Sequence, residues 1–416
     1  MTSRSLTQAE RKNFHWLDRP ALKNLMQALE AARPGCARYV GGCVRDALIG
    51  LEVSDIDIAT QLTPDETIAA FAAAGIRTVP TGIDHGTVTA IHDGQVAEVT
   101  SLRADIATDG RHAKVAFTKD WAVDAARRDF TINALYLDPE GVLYDEAPEA
   151  GQGLADLAAG KVRFIGNAEQ RIREDYLRIL RFFRFSARFA TNLDRDGLVA
   201  CSVRSAGLAT ISRERIGAEL RKILPLPRAL MALSAMDQAG VLVHVWPEHP
   251  EIAVFGAAAI WRDAPLAMEI GLAALWPQAG TGLDQALRLS KKQSKRRRAA
   301  LAVAKSIAVR PDETSAKELL YRHKPQAFQD GCQLARARQQ VSAKRDTEKY
   351  WGQLFSLPER WDVPTFPISG KHLQQVGIQD GPQIGATLAQ LENSWIADGF
   401  PAGKAWAKAQ IQAITS

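Results

Sequence analysis

Two aspartates stand two residues apart in "SDIDIAT": Asp55 and Asp57. On a strand, residues i and i+2 project from one face with Cα atoms roughly 6.5 Å apart, while Ile56 and Ile58 turn the other way, into a core. Two carboxylates on one rigid face can share divalent cations. Mg2+ is commonly held by one or two carboxylates, with phosphate oxygens and water completing its shell. Two such ions about 3.5–4 Å apart can stabilise the attacking and leaving oxygens of a phosphoryl or nucleotidyl transfer. The same D-x-D pattern also suits a solvent-facing strand edge. Upstream, "GGCVRD" (41–46) separates a strand from a helix start. Gly41 and Gly42 let the backbone approach a ligand closely, free N–H groups at a helix start favour phosphate, and Arg45 adds a fixed cation. Taken alone, the glycine pair reads equally as a tight strand-to-helix turn. A phosphate-binding turn a dozen residues before a carboxylate pair describes a triphosphate–metal site. Glu98, in "VAEVTSL", is a third acid on an expected strand; it either completes the carboxylate cluster or faces solvent. His85 and His112 read as loop hydrogen-bonding residues.

A second charged pattern occurs in "REDYLRILRFFRF" (173–185). Asp175 lies three residues before Arg178, and Arg181 and Arg184 follow at further steps of three. Ile172, Tyr176, Ile179, Leu180, Phe183 and Ala187 recur at helical spacing and predict one buried stripe. The acid and the arginines occupy another face. That face is either an ordinary i, i+3 ion-pair surface, contributing about 0.3–0.5 kcal/mol, or a surface that reads a flat polar group.

These residues need elements to hold them. Residues 20–32 predict a helix, with Leu22, Leu25, Met26 and Leu29 on one face. "ARYVGG" predicts a strand, "VRDALIG" a helix, "VSDIDIAT" a strand, and "TPDETIAAFAAAG" a capped helix ending at Gly75. "GTVTAIHDGQVAEVTSL" reads as a hairpin turning at Asp93-Gly94, and "DFTINALYLDPEGVLYD" as a second one. Residues 1 to about 148 therefore form a mixed α/β unit with a mainly antiparallel sheet. From Gly151 onward the patterns are mostly helical, with breaks signalled at "LPLPRAL" and "WPEHPE". The fold class expected is α+β at the front and all-α behind. The 416 residues are 46% hydrophobic and 24% charged, ordinary for a globular protein, with a net charge of +5 that suits a nucleotide or nucleic-acid partner. The densest basic run is "RLSKKQSKRRR" (288–298). No apolar stretch of membrane-spanning length or signal-peptide type is present, and the four widely spaced cysteines fit neither a zinc site nor a disulfide framework. These features set the expectation of a cytoplasmic protein without a membrane partner; no sequence signal sets an oligomeric state.

"GGCVRDALIGLEVSDIDIAT", "RRDFTINAL" (127–135), "REDYLRILRFFRF" and "SRERIGAELRKIL" (212–224) occur in this order. In that order they resemble the class II tRNA nucleotidyltransferases and bacterial poly(A) polymerases, specifically over residues 35–225. The resemblance implies a nucleotidyltransferase head (1–148), a helical neck that recognises the base (149–225), a body (226–300) and a tRNA-binding tail (301–416). It implies addition of C, C and A to the tRNA 3′ end from CTP and ATP, with Mg2+ as cofactor and no nucleic-acid template. By motif, Asp55 and Asp57 look like the metal-binding catalytic pair, with Glu98 the further acid. Gly41, Gly42, Arg45, Arg128 and Asn133 look like nucleotide contacts. Asp175 and Arg178 look like base readers, with Arg181 and Arg184 behind them. Asp175 would accept the exocyclic amine of cytosine or adenine while Arg178 donates to the ring nitrogen. Guanine and uracil carry a carbonyl where the amine should be, and a good bidentate pair discriminates by about 1–3 kcal/mol.

The link "YDEAPEAGQGLADL" is several residues longer than the family's usual one. The poly(A) polymerase branch usually carries a glycine followed by two arginines where this chain has "TGIDHGTVTAI", which favours CCA addition. "LRADIATDGRHAKVAFTKDWAVDAA" fills the place of the flexible loop that CC-only enzymes lack. Poly(A) synthesis, A-only addition and a non-catalytic RNA-binding relative are the alternatives. "ISGKHLQQVGIQDGPQIGATLAQLENSWIADG" (368–399) reads as a compact helical element. No His-Asp metal-hydrolase constellation is seen in the C-terminal half, so no second phosphatase activity is expected.

Overall fold

A computed structural model describes residues 2–109, 112–146, 151–261, 264–307, 312–343, 348–402 and 404–415. The chain divides into two compact units, Met1–Pro247 and Glu248–Ser416, parted within "WPEHPE".

The first unit opens with β1 (Thr2–Ser5), α1 (Gln8–Arg11), α2 (Pro20–Ala32), β2 (Ala37–Val40), α3 (Gly42–Leu48), β3 (Ile56–Thr60) and α4 (Pro64–Ala73). It continues through β4 (Arg77–Gly82), β5 (Thr87–His92), β6 (Gln95–Ser101), β7 (Arg103–Asp109), β8 (His112–Phe117), α5 (Trp121–Ala126), β9 (Leu135–Leu137) and β10 (Val142–Asp145). Helices then follow: α6 (Gln152–Ala158), α7 (Ala168–Glu174), α8 (Leu177–Phe189), α9 (Arg195–Arg204), α10 (Arg213–Ile223), α11 (Ala229–Gln238) and α12 (Leu242–Val245).

The main sheet runs β1-β10-β9-β2-β3-β6-β5-β4. Every pair in it is antiparallel except β3 with β6, where α4, β4 and β5 intervene and bring the chain back in the same direction. Ile56 and Ile58 are buried beneath the aspartate face, as their alternation requires. The Thr63 hydroxyl and Glu66 carboxylate cap α4 reciprocally. Asp93 and Gly94 join β5 to β6 with φ of 46° and 76°, the left-handed geometry of a two-residue hairpin turn. The second hairpin is β9–β10.

Two elements differ from the sequence reading. The span read as a flexible loop contains an antiparallel ribbon, β7 paired with β8, with Arg103 opposite Phe117; its Asp109-Gly110 dipeptide is itself a hairpin signal. The stripe read as one helix is two. Asp175 is extended (φ −153°, ψ 105°), ending α7, and its Oδ1 accepts the Leu177 N–H at 3.0 Å at the start of α8. A short acid competes for backbone N–H groups better at a helix end than within a helix. Tyr176 is consequently only half-buried, and Leu177, Phe182 and Phe185 join the core. Phe182 stacks on Phe164 at 5.5 Å, and Phe185 meets Phe130 edge-on at 5.3 Å, fastening α8 to the segments around the sheet.

The second unit is helical: α13 (Ile252–Ala259), α14 (Met268–Leu275), α15 (Gly280–Ala286), α16 (Lys291–Ser306), α17 (Glu313–Ala343, broken at Lys324-Pro325), α18 (Glu348–Phe355) and α19 (Leu357–Arg360). It closes with α20 (Gly370–Gln375), α21 (Gly381–Ala397) and α22 (Lys404–Thr415), around Leu373, Leu391 and Ala407. No described helix is long and apolar enough to cross a membrane.

Candidate active site

The parallel pairing of β3 with β6 sets Asp57 directly opposite Glu98. Asp57 is half-buried and Glu98 exposed. Asp55 is exposed and lies one residue before β3, its Oδ2 accepting from the Ser54 hydroxyl at 3.1 Å. Burial, then the nearby Glu98 charge, pushes the Asp57 carboxyl up to about 6; Asp55 adds to this, and Arg128 and Arg45 act against it. Carboxylates gathered without full compensation suit a cation. Among the described residues no three His, Cys, Asp or Glu side chains form a complete metal-holding group. A divalent ion bound here would therefore take further oxygens from outside the protein, as Mg2+ does from phosphate and water.

Asp57 and Glu98 line a cleft of about 460 Å³ within the first unit. Arg127, Arg128 and Asp129, from the turn after α5, line it too, as do Asp175 from the α7–α8 break, Arg178 and Arg181 from α8 and Arg215 from α10. The two strand acids and the paired acid and arginine of "REDYLR" thus meet in one cavity.

Asp124, 1% exposed, is the hub beneath the arginines. Its Oδ1 accepts from Arg127 Nε at 2.9 Å and from the Arg103 backbone N–H at 3.2 Å. Its Oδ2 accepts from Arg128 Nη2 and from the Tyr136 hydroxyl, both at 2.9 Å. Burial opposes its charge, but Arg128 and Arg127 outweigh burial and hold the carboxyl well below the usual carboxylate range.

Gly41, Gly42, Arg45, Asn133 and Arg184, also predicted, are not among the residues that line the cleft. Gly41 has φ +71°, and a Cβ there would sit 3.6 Å from Arg128 Nη1, so the turn lets that arginine close against the backbone. Gly42 begins α3. Arg45 is 6% exposed, bound to Asp46 and Asn133, with its guanidinium 4.3 Å from the Phe189 ring centre. Asn133 in turn donates to Asp129 Oδ1 at 2.9 Å, and Arg181 Nε donates to Asp129 Oδ2 at 2.7 Å. Arg184 pairs with Glu219 at 2.8 Å and does not line the cleft. His85 is exposed in a 3-10 turn; the His112 side chain lies outside the described residues.

Arg178 donates to Glu174 Oε2 at 2.5 Å and to the carbonyls of Arg171 and Arg127. Three of its N–H donors are engaged, and a guanidinium has five. Asp175 Oδ2 accepts from Arg215 Nη2 at 2.7 Å.

The Poly A polymerase head domain model matches residues 37–163. The chain is 38% identical over 373 residues to the mouse mitochondrial CCA tRNA nucleotidyltransferase 1, covering 87% of this chain and 83% of that protein. The chain belongs to the CCA tRNA nucleotidyltransferase family. It is therefore a nucleotidyltransferase, of a family that is generally divalent-metal dependent. It is also 41% identical over 202 residues to the CCA-adding enzyme of Streptococcus pyogenes, 48% of each chain. Its structure resembles the Bacillus stearothermophilus CCA-adding enzyme in complex with CTP, with a TM-score of 0.74 and 27% identity over 92% of this chain and 94% of that one.

Sequence reasoning gave no role to Asp124, Arg127, Asp129 or Arg215. Asp124 precedes Arg127 and Arg128 by three and four residues, the spacing of helical ion pairs, and that signal could have found it. Arg215 lies inside "SRERIGAELRKIL", but only the tertiary structure brings it to Asp175.

Proposed function

We propose that this nucleotidyltransferase adds C, C and A to the 3′ end of tRNA from CTP and ATP, without a nucleic-acid template. One juxtaposition carries the reading: Asp57 and Glu98 share a cleft with Asp175 and Arg178. Strand acids suited to a phosphate-bound cation thereby lie within the space where helix residues can meet a base. The head (1–148), neck (149–225), body (226–300) and tail (301–416) are the parts among which this work is divided.

Asp55 and Asp57 hold Mg2+ in this reading, with Glu98 as the further acid. Bound there, Mg2+ would make the primer 3′-hydroxyl more acidic and offset charge on the departing pyrophosphate. Arg128, steadied by Asp124 and Tyr136, meets the triphosphate; Arg45 and Asn133, hydrogen-bonded to each other, brace the turn at Gly41-Gly42. Asp175 accepts the exocyclic amine of cytosine or adenine, and the uncommitted donors of Arg178 give to the ring nitrogen. Arg181 and Arg184, tied to Asp129 and Glu219, hold α8 in place.

The test uses tRNAs ending before C74, before C75 and before A76, with each nucleotide offered singly. Ordered addition of C, C and A is expected from the parent chain, and Asp57→Ala is expected to lose addition while still binding tRNA. Turnover retained by Asp57→Ala removes the carboxylate assignment. Addition restricted to A, or run on as a poly(A) tail, replaces CCA addition with the corresponding activity.

A further inference from the structure

In the second unit, "RRRAALAVAKS" (296–306) and "LARARQQVS" (334–342) set small residues and cations on two packed helices, α16 and α17. The helices meet closely at Gly331, where a Cβ would collide with the Val303 side chain. Beside that contact stand Ala304 on α16 and, one turn on along α17, Ala335. Alanine side chains are too short to fill the space between two helices, and a cavity of about 710 Å³ lies there, bounded also by Pro277 from the segment before α15.

Its wall is largely apolar, with Leu301, Ala302, Ala304 and Ala335 supplying much of it. Lys305 and Arg338 bring two positive charges to it, and among the described residues no acid lines it. Lys305 is exposed. Arg338 is half-buried, and its Nη2 is buried with no hydrogen-bond partner among the described residues. Burial pushes the Arg338 guanidinium below its usual pKa, with the charge of Glu251 acting against this; Glu251 does not line the cavity. A buried N–H without an acceptor is costly. A guanidinium also presents parallel donors that match the two oxygens of a carboxylate or phosphate.

We propose that this cavity binds a small aliphatic anion, a carboxylate or phosphate carried on a hydrocarbon chain, with its head on Arg338 and Lys305 and its chain along Leu301, Ala304 and Ala335. The volume lies within the range of about 300–1,000 Å³ usual for small-molecule sites, which pair apolar walls with a few polar groups that fix orientation. No aromatic ring lines the cavity among the described residues, so a nucleotide base has nothing to stack on. An RNA backbone phosphate could meet Lys305, but reaching Arg338 would press polar ribose against the apolar wall, which is unfavourable.

Calorimetric titration of the full chain with decanoate, kept below its micelle concentration, tests the site. One saturable site is expected. Arg338→Leu should weaken it about tenfold or more, the loss of a charge-assisted hydrogen bond, and Lys305→Gln about threefold, as for an exposed charge. Decanol keeps the chain without the charge, and acetate keeps the charge with almost no chain; each should bind about tenfold or more weaker than decanoate. Decyl phosphate should compete with decanoate, because the guanidinium accepts either head. Replacing a cation with a buried unpartnered N–H by an apolar side chain should not lower Tm, so lost binding by Arg338→Leu is readable in a folded protein. Ala335→Leu fills the cavity while keeping both cations and should also block decanoate, which gives a second route if Arg338→Leu does not fold.

The absence of a saturable decanoate site in the parent chain overturns the proposal. So does unchanged binding by Arg338→Leu or Ala335→Leu, or decanol binding as tightly as decanoate. A parent that ignores decanoate, with tRNA affinity falling in Arg338→Leu, also overturns it and assigns the two cations to the RNA backbone.

Discussion

Asp57, the proposed metal ligand, is a carboxyl whose surroundings disfavour its charged form. Its carboxyl is raised from 3.8 to about 6, by burial first and the Glu98 charge second. Across that window the folded protein keeps a proton that the unfolded chain has already given up. Unfolding therefore releases the proton, and this contribution to stability falls as pH rises from about 4 to about 6, then levels off. Asp57→Asn removes the contribution. In chelator, its Tm should exceed that of the parent at pH 7.5, with the difference shrinking as pH falls toward 4; thermal melts at a series of pH values measure it. A Tm difference that stays constant with pH would show that Asp57 carries no such penalty. Asp124 lies at the other extreme, buried yet surrounded by Arg127, Arg128 and Tyr136. Two acids of the same type, in one domain, are set in opposite directions by their neighbours.

At the scale of elements, the break between α7 and α8 matters most. It frees Asp175 from a helical ladder and points Tyr176 toward the 3-10 turn Ser205–Thr210. A Cβ at Gly207 would lie 2.0 Å from Cδ1 and Cε1 of Tyr176, atoms of a ring that cannot give way by swinging a flexible tip. Gly207→Ala should thus displace Tyr176 and disturb the residue before it. The expected cost is about 1–3 kcal/mol of stability, typical of overpacking, with a raised KM for both CTP and ATP. Denaturant melts and steady-state kinetics check the two parts; an unchanged KM would show that the break does not transmit the displacement to Asp175. The β7–β8 ribbon is tied in at its base, where the Arg103 N–H donates to Asp124, so one carboxylate holds both the ribbon's first residue and the arginine pair of the cleft.

For the whole molecule, the basic run at 288–298 separates into two populations. Arg297 is fully buried in the second unit and donates from Nε to Asp284 at 2.6 Å, and Arg296 pairs with Asp330 at 2.8 Å. Lys291, Lys292, Lys295 and Arg298 are exposed along α16. Arg297→Ala should leave Asp284 as an uncompensated buried charge and cost about 3–5 kcal/mol, read by chemical denaturation. Replacing the four exposed cations together by alanine should leave Tm near the parent value. It should also flatten the dependence of log Kd for tRNA on log salt, by up to about one unit for each phosphate that is no longer neutralised. An unchanged salt slope would place the RNA backbone elsewhere.

Much of the site was legible in the linear chain because it rests on short-range periodicity. The burial of Ile56 and Ile58 on either side of Asp57, the glycine pair at the start of α3 and the Asp93-Gly94 turn are consequences of local geometry that any strand or hairpin imposes. The three-residue ladder of Asp175, Arg178, Arg181 and Arg184 was equally visible, but its partners were not. Which carboxylate answers which guanidinium there depends on residues far apart in the chain: Arg215 with Asp175, 40 residues away, and Arg181 with Asp129, 52 residues away. Residue types and spacing determined which groups could do chemistry. Only the packing of sheet against helices decided which were spent on one another and which kept free lone pairs and donors facing the cleft, because hydrogen-bonding capacity is divided among neighbours in space and not along the chain.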